Sequence, residues 1–297
     1  MMILVVGSTG LLGGSVTRKL VGAGRSVSAM VRDHSSEKAR ALESAGAEVV
    51  SGDLKDRAGL ERVIRGADAV VCTASATLSR REGDSIDTVD LAGVRSLIEV
   101  AEAAAVRRFV FISISPNMGD DFPLAAAKRA AEECLRASRL DYVVLQPSYF
   151  AEVWFSPVVG FDVAGGTVCV YGDGEAKVSY VAVDDVSSAA ARALDAPGVG
   201  RRTIPIGGPQ AVSQLEAIAL AERASGRRLR VNRMPLDEIK AQRAAAADPL
   251  QAAFLGILEH LALGDEIPNA WAEVLGVRPV HMAEWLERAF GNVSRNG

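Results

Sequence analysis

Three glycines near the start of the chain have the spacing of a phosphate-binding turn. Gly7, Gly10 and Gly13 stand between an apolar run and a helical pattern, in the order GxxGxxG rather than GxGxxG. One glycine permits the positive φ of a tight turn, a second lets the main chain approach a pyrophosphate, and a third lets helix and strand pack closely. The helix start directs free N–H groups at the phosphates. The segment therefore predicts a dinucleotide site, and the alternative is a glycine-rich turn without a ligand.

An arginine stands at a second position whose side chain could bind a cofactor, at the end of the next apolar run. Enzymes that use NAD often carry an acid there, which holds the ribose hydroxyls. This chain has Arg32 followed by Asp33. A guanidinium can bind a 2′-phosphate in bidentate fashion, so the sequence favours NADP(H), with NAD(H) possible because Asp33 could hold a ribose hydroxyl. The alternative is a surface arginine that pairs with Asp33.

An aspartate follows the third apolar run, in Gly52-Asp53-Leu54. Its carboxylate could accept a hydrogen bond from the adenine amino group. Alternatively, Asp53 caps the next turn, which is a common role of aspartate.

Short apolar runs and helical patterns alternate through the first half of the chain and would position these residues. The predicted strands are Met2 to Val6, Val27 to Val31, Glu48 to Val50, Ala69 to Cys72, Phe109 to Ile112 and Tyr142 to Leu145. Their apolar residues are continuous, which is typical of strands covered on both faces. Amphipathic segments between them imply right-handed crossovers. The expected fold is α/β, a Rossmann-type doubly wound parallel sheet.

The pattern is looser beyond residue 150. Predicted strands are Val168 to Tyr171, Ser179 to Val183 and Arg201 to Gly208, and predicted helices are Asp184 to Leu194 (with Asp184 as N-cap), Ser213 to Ala224, Asp237 to Ala246, Leu250 to Leu263 and His281 to Phe290. We expect residues 1–150 to form the dinucleotide-binding core, to which residues 178–207 return. Residues 151–177 and 208–297 would form a smaller, mostly helical C-terminal lobe for a substrate or partner.

Composition limits the possible partners. The chain has 297 residues, 49% of them hydrophobic and 24% charged, and a net charge of −4, which argues against a nucleic-acid partner. We expect a cytoplasmic monomer or homodimer without a membrane partner, since neither a signal peptide nor a long apolar stretch is evident. The spacing of His, Cys, Asp and Glu predicts no metal site. The longest charge cluster comprises Arg80, Arg81, Glu82 and Asp84 and predicts a solvated loop.

Several motifs in order resemble the atypical short-chain dehydrogenase/reductase superfamily, and within it the NmrA-like, NAD(P)H-binding group related to isoflavone reductases. These motifs are GSTGLLGG, VRD, GDLKD, DLAGV, VRRFVFIS, LQPSYF and DDV. The resemblance covers about residues 2 to 210 and implies a set of cofactor contacts. These are Gly7, Thr9, Gly10, Leu11, Leu12 and Gly13 at the pyrophosphate, Arg32 at the 2′-phosphate, Asp53 and Leu54 at adenine, Thr73, Ala74 and Ser75 at the ribose side, and Pro147, Ser148 and Tyr149 at the nicotinamide. Alternatively, Pro147 initiates a loop and Tyr149 belongs to the core of the lobe.

The proton donor of typical short-chain dehydrogenases is missing. Those enzymes use a Tyr-x-x-x-Lys pair on one helical face, but none of the six lysines here has tyrosine four residues before it. Lys128 lies on the corresponding helix with Leu124 in place of the tyrosine. The resemblance makes Lys128 the candidate catalytic residue. The alternatives are a hydrogen bond to the nicotinamide ribose or a solvated lysine, and Ser113 either contacts substrate or ends a strand.

Two functions agree with these residues. One is an NADP(H)-dependent oxidoreductase that transfers hydride to a small organic acceptor, such as a quinone-like compound or an activated alkene. The other is an NmrA-like redox sensor or regulatory protein that binds NADP(H) without turnover. The missing tyrosine favours the sensor, whereas Lys128 and the C-terminal lobe favour the enzyme.

Overall fold

A seven-stranded sheet dominates the computed structural model, which describes residues 1–77, 79 and 81–291. The strands of the chain are β1 (Met2–Val6), β2 (Ser26–Val31), β3 (Glu48–Ser51), β4 (Ala69–Cys72), β5 (Arg108–Ile112), β6 (Tyr142–Pro147), β7 (Phe161–Asp162), β8 (Thr167–Tyr171), β9 (Lys177–Val178), β10 (Arg202–Ile206), β11 (Val212–Ser213) and β12 (Arg230–Met234). The large sheet has the order β10-β6-β5-β4-β1-β2-β3. Within it, the neighbouring strands among the first six of the chain pair in parallel. The predicted Rossmann-type fold is confirmed.

Helices follow most of the strands. They are α1 (Leu11–Gly22), α2 (Glu37–Ser44), α3 (Arg57–Val63), α4 (Val94–Ala103), α5 (Pro123–Ala137), α6 (Ala151–Trp154), α7 (Val183–Ala193), α8 (Gln214–Ser225), α9 (Leu236–Ala245), α10 (Pro249–Leu263), α11 (Ala270–Leu275) and α12 (Met282–Phe290). A π-helical segment, Ile86–Gly93, runs directly into α4, and a 3₁₀ turn spans Pro157–Val159. No helix in the described part of the chain is long and apolar enough to cross a membrane.

The strand order creates a switch point between β1 and β4. The chain builds outward from β1 through β2 to β3, then returns to the other side of β1 with β4. The loops that follow β1 and β4 therefore leave the sheet side by side, where ligands bind in open α/β sheets. Leu4, Val6, Val70 and Cys72 of these two strands are completely buried, and their burial makes the site's base rigid.

The described chain divides into two compact units. Of the described residues, those within 1–114, 119–146 and 186–204 form the first unit, and those within 115–118, 147–185 and 205–291 form the second. In the second unit, β12, β8 and β7 form a three-stranded sheet and β11 pairs with β9. Its aromatic side chains pack together: the Phe155 ring lies 5.1 Å from Phe161, 4.7 Å from Tyr180 and 5.8 Å from Trp285, centroid to centroid.

Several predictions about residues beyond 150 are wrong in detail. The strand predicted from Ser179 to Val183 is absent: β9 ends at Val178, and Val181 makes an isolated bridge to Phe150. Asp184 is not an N-cap, because α7 already begins at Val183. The strand β12 was not predicted, since Arg230–Met234 is mostly exposed and lacks the apolar run that marks a central strand.

Candidate functional site

The glycine loop forms the floor of the candidate site. Gly7 follows β1 with φ +85°, a conformation that favours glycine, and its carbonyl accepts a 2.9 Å hydrogen bond from the Gly10 amide. A Cβ on Gly13 would lie 2.2 Å from the Gly7 carbonyl oxygen and 2.6 Å from Thr73 Oγ1. The absence of that Cβ lets α1 pack directly on the loops that follow β1 and β4.

The N-terminus of α1 is left open towards a ligand. Gly10 is the N-cap and has no side chain to accept from the first-turn amides, and no acidic residue stands in that turn. A Cβ on Gly10 would have one neighbour within 4 Å among the described residues, the Gly7 carbonyl oxygen at 3.1 Å. The side chain of Leu11 is 51% exposed beside it. This end of α1 can therefore present N–H groups and partial positive charge to a diphosphate.

Two predicted residues of the glycine segment differ in burial. Thr9 is half-buried, whereas Leu12 is buried in the core. The neighbouring residue Ser8 is buried, and its hydroxyl donates a 2.7 Å hydrogen bond to the carbonyl of Met30 in β2. This bond fixes the loop to the neighbouring strand, so the amides of α1 are held in place before any ligand arrives.

The loop after β4 closes one side of the glycine loop. Thr73 donates from its amide to the Val6 carbonyl at 2.9 Å and from Oγ1 to the same carbonyl at 3.1 Å. Ala74 is half-buried and Ser75 is exposed. The structure thus brings Thr73 and Ala74 next to Gly7. A contact of Thr73, Ala74 and Ser75 with the ribose side of a cofactor stays a prediction.

Lys128 on α5 is enclosed beneath this loop and is not solvated. The residue is 3% exposed, its ammonium donates to the Ala74 carbonyl at 3.2 Å, and it lies 5.2 Å from the centroid of the Phe111 ring. Its Nζ also lies 3.1 Å from Oδ1 of Asp90, which is fully buried. The angles at that contact are not those of a hydrogen bond, so it is an ion pair. The catalytic role of Lys128 stays a prediction.

Asp90 connects the lysine to the loop. Its other oxygen, Oδ2, accepts a 2.8 Å hydrogen bond from the Ala76 amide, and the residue lies on the π-helical segment. Lys128 and Asp90 therefore bind the two ends of the segment 74–76. Leu124, in place of the usual tyrosine, is buried and supplies no proton donor.

Ser113 has a structural partner. Its hydroxyl donates to Glu132 Oε1 at 2.6 Å, in a buried cluster that Gln146 joins with a 2.9 Å bond. Among its two predicted alternatives, this bond favours the end of a strand over a substrate contact.

Arg32 does not pair with Asp33, contrary to the alternative considered from sequence. Its guanidinium binds the carboxylate of Asp84, which Lys55 and Ser79 also contact. Asp33 instead accepts from the amide and hydroxyl of Ser35, and these hydrogen bonds lower the pKa of its carboxyl.

The prediction of a solvated loop around Asp84 is wrong for that residue. The side chain of Asp84 is 1% exposed, because Arg32 and Lys55 from two other parts of the chain and the Ser79 hydroxyl from the same loop bind it. Arg80, from the same predicted loop, lies outside the described residues, whereas Arg81 and Glu82 are exposed as expected.

Asp53 adopts the capping geometry that was its alternative role. Its carboxylate accepts a 2.9 Å hydrogen bond from the Lys55 amide, and its carbonyl accepts one of 3.0 Å from Asp56. Oδ2 of Asp53 is 3.8 Å from the Lys55 ammonium. Leu54 is 6% exposed and belongs to the core. An adenine contact of Asp53 and Leu54 stays a prediction.

The three residues predicted at the nicotinamide lie in the second unit, where Pro147 is the last residue of β6. Ser148 is buried, and its hydroxyl donates to Asp265 Oδ2 at 2.6 Å. Tyr149 is 2% exposed and donates to the Ile257 carbonyl at 3.0 Å. Burial and the nearby Asp265 raise its pKa well above the ordinary value. These contacts agree with the alternative of a core residue and make Tyr149 unsuited to donate a proton.

Sequence reasoning missed the acids that organise these loops. Asp265 accepts from Ser115 at 2.5 Å, from Asn117 at 2.7 Å and from Ser148, so it links the loops that follow β5 and β6. No local motif marks Asp265, which lies over a hundred residues away in sequence. Asp90, by contrast, stands in the DLAGV motif, which was a usable signal.

Comparisons with known proteins agree on one family. The family described as NAD(P)H-binding matches residues 7–197. The photosystem II assembly factor Ycf39 of Guillardia theta is 32% identical over 237 residues, covering 80% of this chain and 74% of that protein. The NAD(P)H azoreductase of Xenophilus azovorans is 30% identical over 241 residues, covering 80% and 79%.

A solved structure extends the likeness of fold over nearly the whole chain. The NADPH-dependent quinone oxidoreductase QOR2 of Escherichia coli, complexed with NADPH, superposes with a TM-score of 0.76 and covers 98% of this chain and 100% of its own. Its sequence is 20% identical, so this match shows the fold alone.

Proposed function

Because this chain belongs to the NAD(P)H-binding family, we propose that it is an NADP(H)-dependent oxidoreductase that reduces a small organic acceptor, quinone-like or an activated alkene. The observation that carries the proposal is the uncapped start of α1, which the glycine loop places at the switch point between β1 and β4. The azoreductase relative, named for its use of NAD(P)H, supports a reductase.

Positive side chains support the choice of NADP(H). Arg32 and Lys55 lie after β2 and β3, with side chains 36% and 30% exposed. Both can reach a ligand at this edge of the sheet, and a guanidinium suits a 2′-phosphate. NAD(H) is the alternative cofactor, because Asp33, Asp53 and Asp84 offset this positive charge.

The residues around Lys128 restrict the kind of acceptor. A bound nicotinamide supplies the hydride. The chain contributes no phenol at position 124, and the Lys128 ammonium is held by Asp90 and the Ala74 carbonyl. We propose that this ammonium, together with Asp90, orients the loop that lines the cofactor's ribose side. Acceptors that need no enzyme-supplied proton fit such a site best.

Binding without turnover is the second candidate function. The missing tyrosine and the enclosed Lys128 favour it, as do the relatives named as assembly factors. In this reading the chain binds NADP(H) and responds to its redox state through a partner.

A single assay separates the two candidates. Purified protein is mixed with NADPH and a panel of quinones and activated alkenes, and the absorbance of the reduced cofactor is followed. Oxidation of NADPH that is lost in Lys128→Met but kept in Lys177→Met supports the enzyme, because Lys177 lies on the second unit and pairs with Glu216. Tight NADPH binding without oxidation across the panel supports the sensor. The absence of any nicotinamide nucleotide binding to folded protein contradicts both.

A further inference from the structure

Three donors from separate segments converge on one buried carboxylate at the edge of the first unit. Arg32 follows β2, Lys55 follows β3 and Ser79 lies in the loop after β4, and all three bind Asp84. The acid is 1% exposed, whereas the arginine and lysine are 36% and 30% exposed. The carboxylate is thus the inner member of the cluster, and the cations that surround it remain accessible from outside.

The carboxylate is held in its charged form. Burial by itself would raise the pKa of Asp84, but hydrogen bonds from Lys55, Ser79 and Arg32 outweigh it and lower the pKa far below the ordinary value. Asp84 therefore carries a negative charge at neutral pH, and it neutralises part of the charge of its two cations.

The position of Asp84 is fixed by the helix that follows it. Ser85 caps the π-helical segment: its hydroxyl accepts from the Thr88 amide at 3.0 Å, and the Thr88 hydroxyl accepts from the Ser85 amide at 2.9 Å. Thr88 also donates to the Gly83 carbonyl at 2.9 Å. The residues on both sides of Asp84 are thus tied to the helix, so its carboxylate is a constant part of the cluster.

The charges of this cluster decide how it can treat a phosphate. Arg32 and Lys55 carry two positive charges, while Asp84 and Asp53, the latter 3.8 Å from the lysine, carry two negative ones. The four side chains sum to zero. A 2′-phosphate brings roughly two negative charges to these four side chains, which together have no surplus of positive charge, whereas a ribose hydroxyl brings none.

We propose that Asp84 determines cofactor specificity as an internal anion, which competes with the 2′-phosphate of NADP(H) for Arg32 and Lys55 and keeps the preference over NAD(H) small. The inference rests on the proposed function, because it concerns the nucleotide that the glycine loop binds. It adds a residue that sequence reasoning had assigned to solvent, and it makes Lys55 a second ligand of the phosphate.

Two other roles for Asp84 lead to different results. If Asp84 only anchors its loop, then removal of its charge leaves the ratio of NADPH to NADH affinity unchanged. If Asp84 instead orients Arg32 towards the phosphate, then removal of its charge lowers that ratio. Competition alone raises it.

The test compares NADPH and NADH binding by isothermal titration calorimetry in the wild type, Asp84→Asn and Asp84→Ser. Asp87→Asn is the control, because Asp87 is an exposed acid three residues away and its loss changes the net charge equally. We expect both Asp84 variants to raise the ratio of NADPH to NADH affinity about tenfold relative to the wild type, since a like charge near the phosphate is removed. Asp87→Asn should change the ratio less than twofold.

The outcomes separate the inference from the proposed function. An unchanged or lowered ratio in both Asp84 variants, with NADH affinity retained, overturns the inference and leaves the proposed function intact. Failure of wild-type protein to bind either nucleotide overturns the proposed function and the inference with it. Thermal unfolding identifies a variant that does not fold, and the remaining Asp84 variant then decides.

Discussion

The ion pair between Lys128 and Asp90 offers the sharpest test of the site, because both members are buried. Lys128 is 3% exposed and Asp90 is fully buried, and the two charged groups lie 3.1 Å apart. Lys128→Met removes the cation and keeps the length of the side chain. Asp90→Asn removes the anion and keeps its shape. Each single variant leaves one charge without its partner inside the protein.

The expected loss of unfolding free energy follows from the burial of both side chains. Removal of one partner of a buried pair typically costs about 3–5 kcal/mol, while removal of both costs much less. We expect the lower end for each single variant, because the surviving group keeps a hydrogen bond: Asp90 with the Ala76 amide, and Lys128 with the Ala74 carbonyl. The double variant should lose less than the sum of the single losses by at least about 2 kcal/mol.

Urea unfolding of all four proteins measures this coupling. NADPH oxidation by the same four proteins, at a temperature where each is folded, then separates stability from chemistry. If the positive charge of Lys128 acts on bound nucleotide, the double variant regains stability but not activity. Additive losses of stability would refute the buried ion pair, and full activity in the double variant would refute a functional role for the ammonium.

Three further predictions rest on other residues. Arg32→Ala should weaken NADPH binding more than NADH binding by calorimetry, and equal weakening would contradict a 2′-phosphate contact. Gly13→Ala should cost about 1–3 kcal/mol of stability by urea unfolding and weaken nucleotide binding, because its Cβ would lie 2.2 Å from the Gly7 carbonyl oxygen. Gly22→Ala is the control, because a Cβ on Gly22 would have no neighbour within 4 Å. Equal losses in the two variants would contradict the packing argument. The raised pKa of Tyr149 means that the unfolded chain releases this proton first, so stability falls as pH rises above 10.0. Tyr149→Phe should lessen that loss in alkaline thermal melts without abolishing it, because burial also raises the pKa of Tyr171 and of Tyr180.

Local sequence patterns were sufficient to predict the first half of the fold. The continuous apolar runs from β1 to β6 arise because both faces of a parallel sheet are covered, and this leaves a signature in a few adjacent residues. The glycine loop could be recognised for the same reason: the positive φ of Gly7 and the close packing of Gly13 are demands on single positions in one short segment.

The second half of the chain was harder to predict because its elements depend on distant partners. β12 is an exposed strand whose pairing with β8 lies some sixty residues back in sequence, and it carries no apolar run. Tyr149 could be assigned either to the nicotinamide or to the core, and the Ile257 carbonyl that its hydroxyl binds is invisible to any local pattern.

The sequence by itself determined a dinucleotide-binding sheet, its glycine loop and the absence of the usual tyrosine, since each is a matter of residue type at short spacing. Only the tertiary structure decided which acid faces which base. Asp84 lies 52 residues from Arg32 and Asp265 lies 117 residues from Ser148, yet each pair is in hydrogen-bond contact. Charges act through space rather than along the chain, so the partners of Arg32 and Lys128, and with them the electrostatics of the site, emerge only when the strands are placed in order.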